Sequence, residues 1–254
     1  RKQLARILIR PPSRPSQSAI ALRQSLETRA KLSRSSQIPR QYHYLINWGN
    51  STPFTARDGV VVLNKPEAVA NAVNKAKAFH LWSAIDGLRI PPFYTDRNDV
   101  PRDSIVLARS SGTSSGGDDI TVVRPGEDLP DVPLYVGYIP KTQEYRVHVA
   151  NSKAIFVQQK RRKSDVEQTK DEKLIRNHAN GWVFCPLDLD DVSPEIKDAA
   201  IMAVHGLGLC FGACDIILGR DDNTPYVLEC NTCPGITSPT LLNAYKEAFQ
   251  EWLR

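Results

Sequence analysis

The most informative stretch of this sequence runs from Phe211 to Gly235 and reads FGACDIILGRDDNTPYVLECNTCPG. Two runs rich in apolar residues, at 211–218 and 225–231, flank a polar turn at 219–224. This pattern is typical of a β-hairpin, because strand formers on both sides enclose a run of Gly, Asp and Asn. The sequence therefore predicts two antiparallel strands in this segment.

Strand alternation assigns the polar side chains of the hairpin to faces. Asp215 shares a face with Phe211 and Ala213, while Glu229 and Asn231 share a face of the second strand. The opposite faces carry Cys214, Ile216, Leu218, Leu228 and Cys230. If the polar faces coincide, Asp215, Glu229 and Asn231 form one cluster of oxygen ligands, which suits Mg²⁺ held jointly with phosphate groups. A solvated strand end is the alternative.

These residues resemble the end of the ATP-grasp domain, in particular that of carboxylate-amine ligases of the alpha-L-glutamate-ligase (RimK-like) type. The resemblance covers roughly residues 60 to 250. It implies an α/β chain with the ATP-grasp fold, in which two α+β lobes clasp ATP. It also implies that Asp215, Glu229 and Asn231 hold two Mg²⁺ ions against the ATP phosphates, with Mn²⁺ as an alternative ion.

A helical pattern lies upstream, with apolar residues at helical spacing from Val69 to Phe79. We expect one long helix that ends at Gly87, because the prolines at 91 and 92 prevent its continuation. It resembles the Asp-Lys helix of the family, with Asn74 in place of the usual Asp. The resemblance implies that Lys75 reaches an ATP phosphate, and a solvated surface lysine is the alternative.

Residues 104–123 have the pattern of two apolar strands joined by a loop of Ser, Thr, Gly and Asp. Glycine permits positive φ and close backbone approach, so the N–H groups of such a loop can surround phosphate oxygens. A flexible exposed hairpin has the same composition. The resemblance implies nucleotide binding by Arg109, where the family has lysine, and by the loop. The loop residues are Ser111, Gly112, Thr113, Ser114, Ser115, Gly116 and Gly117.

The segment at 133–140 resembles the link between the two ATP-grasp lobes. The resemblance implies that the backbone of Tyr138 and Ile139 binds the adenine edge. Lys141 and Glu144 are assigned to the nucleotide site on the same ground.

The next segment alternates strictly and places Glu144, Arg146 and His148 on one face of a strand. It resembles the acidic-x-Arg strand of the family. The resemblance implies four residues that approach the reacting groups: Arg146, Lys160, Arg176 and Asn177. Cations suit such positions, because the transferred phosphoryl group and the tetrahedral intermediate develop negative charge. No residue is a compelling general base.

The 254 residues are 41% hydrophobic and 24% charged, which is ordinary for a soluble globular enzyme. No apolar run approaches the roughly 18 residues of a membrane span, and the N-terminus shows no secretory signal. Five cysteines, an odd number, favour a reducing compartment. We therefore expect a cytoplasmic protein without a membrane partner.

The cysteine spacing raises an alternative for the hairpin. Cys210 and Cys214, followed by Cys230 and Cys233, approximate the paired spacing of a structural zinc site. Their apolar neighbours favour small buried thiols instead. Zinc, and a redox pair of Cys230 with Cys233, are therefore the less favoured interpretations.

The first 40 residues contain ten Lys or Arg and one acid, so they carry a charge of +9 and the rest of the chain carries −4. Basic segments of this kind often contact nucleic acid. That partner is not favoured here, because the N-terminal region also shows a strand at 5–9, a helix at 18–26 and a strand at 42–48.

We therefore predict a short Rossmann-like α/β lobe at residues 1–62, followed by an ATP-grasp domain at 63–254. Within that domain, we expect the ATP lobe at about 88–137 and the C-terminal lobe at about 138–254.

The resemblance implies an enzyme in which ATP phosphorylates a carboxylate and an amine attacks the acyl phosphate. The products are an amide, ADP and phosphate. The acceptor would be a peptide, a protein or a small amine, and the donor could be an amino acid. An ATP-grasp phosphotransferase and a non-catalytic module that binds nucleotides or nucleic acid are the alternatives.

Overall fold

The N-terminal part of the chain forms a parallel sheet. The computed structural model describes residues 6–12, 16–26, 30–110, 119–164 and 167–253. The strands of this N-terminal sheet are β1 (Ile7–Arg10), β2 (Ala30–Leu32), β3 (Tyr44–Asn47) and β4 (Val61–Leu63), in the spatial order β2-β1-β3-β4. Helix α1 (Gln17–Ser25) follows β1, and its N-cap Ser16 accepts a hydrogen bond from the Ala19 N–H. The predicted strand, helix and strand of this region are thus present.

The long helix predicted from the periodicity is in fact two helices, α2 (Pro66–Val73) and α3 (Lys75–Ser83). Asn74 separates them with extended backbone angles (φ −82°, ψ 100°), and its side chain accepts a hydrogen bond from the Lys77 N–H. Asn is a strong N-cap because its side chain satisfies an unpaired N–H of the next helix. The break turns the first residue of α3, Lys75, toward the C-terminal part of the chain, which it contacts through Glu229.

An antiparallel sheet follows the two helices. Its strands are β5 (Phe93–Tyr94), β6 (Val106–Arg109), β7 (Ile120–Val123) and β8 (Leu134–Gly137), in the order β5-β8-β6-β7. A 3₁₀ turn at Arg97–Asp99 lies between β5 and β6. Strands β6 and β7 are the two strands predicted on either side of the glycine-rich loop, and they pair from Val106 opposite Val123 to Arg109 opposite Ile120.

The third sheet is antiparallel and carries most of the predicted site residues. Its strands are β9 (Lys141–Ala150), β10 (Lys153–Arg162), β11 (Trp182–Leu187), β12 (Phe211–Gly219) and β13 (Pro225–Asn231), in the order β11-β10-β9-β12-β13. Three helices and a 3₁₀ turn complete this part of the chain: α4 (Lys170–Leu174), Leu189–Asp191, α5 (Pro194–Gly206) and α6 (Pro239–Trp252). The predicted hairpin is β12 with β13.

Helices α2, α3 and α5 cover one face of this C-terminal sheet. Their buried side chains, including Trp82 and Ala200, pack with Val147, Val157 and Ile216 of the strands. Apolar side chains of β9 alternate with polar ones, so the opposite face of the same strand presents charged groups. The buried face thus holds the polar face in place.

A second core joins the N-terminal sheet to the C-terminal sheet. Trp48, just after β3, stacks on Phe211 at the start of β12 with ring centroids 5.4 Å apart, and Phe249 of α6 packs edge-on to Phe211 at 5.1 Å. Asn64 adds polar contacts, donating to the Phe211 carbonyl (2.9 Å) and accepting from the Cys210 N–H (2.7 Å). The predicted hairpin is therefore anchored to the N-terminal sheet. The domain boundaries at 62/63 and 137/138 stay a prediction.

Candidate active site

The hairpin register brings the predicted metal ligands together. Asp215 lies directly opposite Glu229, and Ala213 lies opposite Asn231, so the polar faces of the two strands coincide. A bulge follows this pair, because Ile216 is opposite Val227 and Leu228 is the extra residue. The buried position that strict alternation assigns to Leu228 is therefore taken by Val227, which is fully buried.

Asp215 is the centre of a buried charge cluster. It lies opposite Arg146 of β9, whose Nε and Nη2 donate to the two carboxylate oxygens at 2.6 and 2.8 Å. Lys160 of β10 approaches the same carboxylate at 3.7 Å and also pairs with Glu144. A second cation, Lys141, forms an ion pair with Glu144 at 3.3 Å. The cluster holds three cations and two carboxylates, so it carries an excess of positive charge.

The charges in this cluster set each other's protonation. Burial works against the ionised form of Asp215, but the charges of Arg146 and Lys160 outweigh it and lower the pKa of Asp215 to about 2. Burial also disfavours the charged form of Lys160, yet Asp215 and Glu144 raise its pKa above the ordinary value. Glu144 is buried too, and Lys141 and Lys160 lower its pKa. Asp215, Lys160 and Glu144 are therefore charged at neutral pH. Burial lowers the pKa of Lys141, and the charge of Glu144 opposes this shift.

Glu229 forms a second, more exposed part of the site. Lys75 at the start of α3 contacts its carboxylate at 3.0 Å, and the Asn231 amide donates to the other carboxylate oxygen at 3.2 Å. Lys75 and Glu229 are 154 residues apart in the chain. The helix predicted to supply a phosphate-binding lysine thus does reach the predicted metal ligands.

The donor set fits a hard cation. Asp215, Glu229 and Asn231 provide two carboxylates and one amide on adjacent strands, and hard cations such as Mg²⁺ select oxygen ligands of this kind. Within the described ranges, no group of three or more His, Cys, Asp and Glu lies together as a metal site. All five cysteines are free thiols, and Cys214 and Cys230 lie on the opposite, apolar face. The zinc alternative therefore has no support.

Aromatic side chains of β11 pack against the cations. Phe184 lies under both Arg146, at 4.3 Å from its ring centroid, and Lys160, at 5.3 Å. Trp182 lies under Arg176 at 4.5 Å. Such contacts stabilise cations, because the face of an aromatic ring attracts positive charge. Phe184 and Trp182 were not among the predicted site residues, although they alternate directly after the loop at 177–181.

Arg176 and Asn177 lie in the loop before β11. The Nε of Arg176 is buried without a hydrogen-bond partner among the described residues, and burial lowers the pKa of Arg176 in spite of Glu144. Asn177 shapes the loop, since its side-chain oxygen accepts from the Asn180 N–H at 2.8 Å. Arg176 is thus close to the cluster, whereas part of Asn177 serves the loop conformation. Their predicted contact with reacting groups stays a prediction.

Arg109 lies at the end of β6, next to the predicted phosphate loop. Its Nη2 is 3.6 Å from Asp119, and both side chains are largely buried. Ser110 N–H donates to the Asp119 carbonyl at 3.0 Å, which closes the base of the loop. The loop residues predicted to bind phosphate, Ser111 to Gly117, lie outside the described residues. The role of Arg109 toward a phosphate stays a prediction.

The predicted adenine-binding segment lies between β8 and β9, where the middle and C-terminal sheets meet. The Tyr138 N–H donates to the Ile105 carbonyl at 3.0 Å, so it is already used inside the protein. The Tyr138 carbonyl and the Ile139 backbone are the remaining candidates for contacts with adenine.

A buried hydrogen-bond chain lies beside the charge cluster. His148, two residues after Arg146, is fully buried and contacts Gln158 through Nε2 (3.0 Å) and the Tyr245 hydroxyl of α6 through Nδ1 (2.8 Å). The Gln158 oxygen only accepts, so Nε2 donates to it and Nδ1 accepts from Tyr245. Burial lowers the pKa of His148 to about 4.

This histidine makes folding sensitive to acid. Below pH of about 6.5 the unfolded chain binds a proton at His148, whereas the folded chain does so only below about 4. Stability from this group is therefore complete above pH 6.5 and is lost as the pH falls toward 4. We expect about 2–3 kcal/mol of this loss at pH 4.5.

Urea unfolding at pH 7 and pH 4.5 checks this expectation. His148→Gln should reduce the pH dependence of the unfolding free energy by that amount, because the amide does not titrate. His43→Gln, at an exposed histidine, is the control and should keep the wild-type dependence. An unchanged dependence in His148→Gln would contradict the assignment.

Comparisons with known proteins agree with the fold. No family model matches the chain. The D-alanine--D-alanine ligase of Bordetella petrii is 46% identical over 61 residues, which is 23% of this chain and 18% of that protein. The enzyme of the same name from Ralstonia pickettii is 38% identical over 60 residues, again 18% of its length. These matches span less than a fifth of each curated relative.

Solved structures match over nearly the whole chain. ATP-grasp ligase PsnB, complexed with minimal precursor, Mg and ADP, has a TM-score of 0.70 at 14% identity, covering 99% of this chain and 98% of that one. Macrocyclase MdnC from Microcystis aeruginosa, bound with precursor peptide MdnA, has 0.63 at 14%, covering 96% and 99%. D-alanine--D-alanine ligase from Bacillus anthracis has 0.61 at 12%, covering 98% of both. The chain therefore has the ATP-grasp ligase fold, and the predicted fold class is confirmed.

Proposed function

We propose that this protein is an ATP- and Mg²⁺-dependent ligase that joins a carboxylate to an amine through an acyl phosphate, releasing ADP and phosphate. One observation carries the proposal: the in-register pair of Asp215 and Glu229 lies within a set of cations on the polar face of the C-terminal sheet. Five cations and three carboxylates make up this region: Lys75, Lys141, Arg146, Lys160, Arg176, Glu144, Asp215 and Glu229. A surplus of positive charge suits a polyphosphate substrate.

Magnesium fits the oxygen-rich end of this face. Asp215, Glu229 and Asn231 would hold it, and two ions are expected by resemblance to the ATP-grasp ligases. A bound ion supplies neutralisation of the phosphate charge. The similar structure of PsnB contains Mg and ADP, which supports Mg²⁺ and ATP as the cofactors of this protein.

The side chains of the chain itself divide the remaining work. Arg146 and Lys160 present fixed positive charge, which stabilises a transferring phosphoryl group without reorganisation. Phe184 lies against both cations and stabilises their charge. Lys75 and Arg109 are proposed to hold phosphates. Tyr138, Ile139, Lys141 and Glu144 are proposed to line the nucleotide site, and Arg176 with Asn177 to approach the acceptor.

The substrates are proposed at the level of chemical class. The ATP-grasp ligase PsnB and the macrocyclase MdnC were both solved with precursor peptides, and the curated relatives are D-alanine--D-alanine ligases. An amino acid or peptide is therefore the proposed substrate, and the RimK-like subtype remains part of this proposal. Nucleic acid is not favoured as a partner. The described residues include no helix long and apolar enough to cross a membrane. A cytoplasmic location is proposed from the odd number of cysteines.

Measuring ADP release with panels of amino acids, peptides and amines tests the activity. We expect release that requires Mg²⁺, together with a product whose mass equals the two substrates minus water. Hydroxylamine should trap the activated carboxylate as a hydroxamate. A stable phosphorylated product that resists hydroxylamine would favour the phosphotransferase alternative instead. No ADP with any acceptor would contradict both enzymes.

A further inference from the structure

A polar cavity lies in the N-terminal sheet, and none of its described lining residues belongs to the charge cluster. It has a volume of about 310 Å³ and opens at the ends of β1 and β3. Because these strands are parallel, their carboxyl ends meet at one edge, where α/β sheets commonly bind ligands. Its polar lining comprises Arg10, Arg34, Asn50, Ser51 and Thr52, with no acidic residue among the described lining.

Arg10 is the unusual member of this lining. Its side chain is only 1% exposed, and within the described part of the chain it pairs with no carboxylate. Its Nη1 donates to the Thr52 carbonyl at 2.8 Å, its Nε donates to the Ser35 carbonyl at 3.4 Å, and its guanidinium lies 5.0 Å from the Phe54 ring centroid. These contacts fix the guanidinium and leave Nη2 without an acceptor from the described residues.

A buried cation without a counter-charge is costly. Neutral carbonyl partners compensate it only in part, and burial lowers the pKa of Arg10 accordingly. An anion in the cavity would supply the counter-charge that the described residues do not provide, and the guanidinium fork is suited to a carboxylate or a phosphate. Arg34 adds a second cation to the lining, from the residues just after β2.

The cavity borders the loop that follows the proposed metal ligands. Gly49, which lines the cavity, has φ of 85°, and a Cβ built on it would lie 2.5 Å from the Cys233 Cβ. Only glycine therefore allows this approach. Cys233 is two residues after Asn231, a distance of about 7 Å at most along the chain. The cavity therefore adjoins the loop that directly follows the proposed ligand Asn231.

We propose that this cavity binds the anionic group, carboxylate or phosphate, of a substrate, with Arg10 as the fixed contact and Arg34 as the second one. The assignment of that ligand as a substrate rests on the proposed ligase function, whereas the binding of the anion does not. The proposal assigns this anionic group to substrate anchoring, separate from the carboxylate that is phosphorylated.

Direct titration of the full chain, without nucleotide, tests the site. Succinate and inorganic phosphate are the two probes, titrated by calorimetry at constant ionic strength with chloride as the background anion. We expect saturable binding of at least one probe, and the tighter probe identifies the class of anion. Arg34→Gln should weaken binding at least tenfold. Arg10→Gln should abolish it, but loss of the Ser35 and Thr52 contacts can impair folding, so Arg34→Gln is the decisive variant.

Arg40→Gln is the matched control, because Arg40 is exposed in the same part of the chain and does not line the cavity. It should bind as the wild type does. Absence of saturable binding, or equal weakening in Arg34→Gln and Arg40→Gln, would overturn the site.

Once the two substrates are found, kinetics tests whether the bound anion belongs to one of them. Arg34→Gln should then raise the KM of the substrate that carries the anionic group at least tenfold, while the KM for ATP stays within twofold. Anion binding without ADP release from any acceptor would contradict the ligase alone. ADP release without anion binding would contradict the site alone.

Discussion

Replacing Glu229 with Gln is expected to lower Mg²⁺-dependent ADP release by at least about 100-fold, a loss of about 3 kcal/mol or more in transition-state stabilisation. The variant exchanges one ionised oxygen ligand for a neutral amide, which still offers an oxygen but loses the negative charge that holds the cation most strongly. The amide oxygen still accepts from Lys75, so the unfolding free energy should change by less than about 1–2 kcal/mol. Activity and stability should therefore separate.

Steady-state ADP release at several Mg²⁺ concentrations, with urea unfolding in parallel, measures the two effects. Glu251→Gln is the matched control, because Glu251 pairs with Lys153 at 3.4 Å on an exposed surface. Such pairs contribute about 0–1 kcal/mol, so this control should retain wild-type turnover. Equal turnover in Glu229→Gln and the wild type would rule out Glu229 as a metal ligand.

Replacing Arg146 with Gln is expected to destabilise the fold by about 3–5 kcal/mol, because the buried Asp215 carboxylate loses its two-bond partner. Lys160 remains at 3.7 Å and compensates only in part. Turnover should fall as well, since Arg146 is proposed to face the reacting phosphoryl group. The second substitution Asp215→Asn in the same chain should restore at least half of the lost stability, because it removes the unpaired charge.

Urea unfolding of the wild type, both single variants and the double variant completes the cycle. Arg220→Gln is the control, because its pair with Asp221 at 3.3 Å is mostly exposed. We expect that control to lie within about 1 kcal/mol of the wild type. A double variant as unstable as the sum of the single variants would show that Arg146 and Asp215 do not interact.

These variants probe a site whose parts differ in how readily they could be recognised. Alternation placed Asp215 on one face of its strand and Glu229 with Asn231 on one face of theirs, because the period of two is a local property of the strand. That the two faces coincide was left open and is decided by the register. The bulge at Leu228 was missed, since it depends on how the two strands pair. The helix break at Asn74 was also missed, although Asn is a favoured N-cap, because the apolar spacing continues across it.

The aromatic and buried partners were the hardest to predict. The alternation of Trp182 and Phe184 indicates a shared strand face, but not that Phe184 lies against Arg146 of another strand. His148 was placed on the correct face, but its contact with Tyr245 spans 97 residues. Arg10 belongs to an apolar strand, and only the structure shows that no carboxylate of the described chain pairs with it.

Local pattern was thus sufficient for the hairpin, for the faces of its strands and for the order of motifs that resembles an ATP-grasp ligase. Side-chain periodicity and turn composition act over a few residues, so they can be read directly from neighbours in the chain. The neighbours across the sheets were decided by folding alone. Arg146 meets Asp215 because β9 pairs with β12, and Lys75 meets Glu229 because α2 packs against β13 and α3 begins directly after α2. Such contacts join segments 69 and 154 residues apart, and they depend on the packing of the whole core.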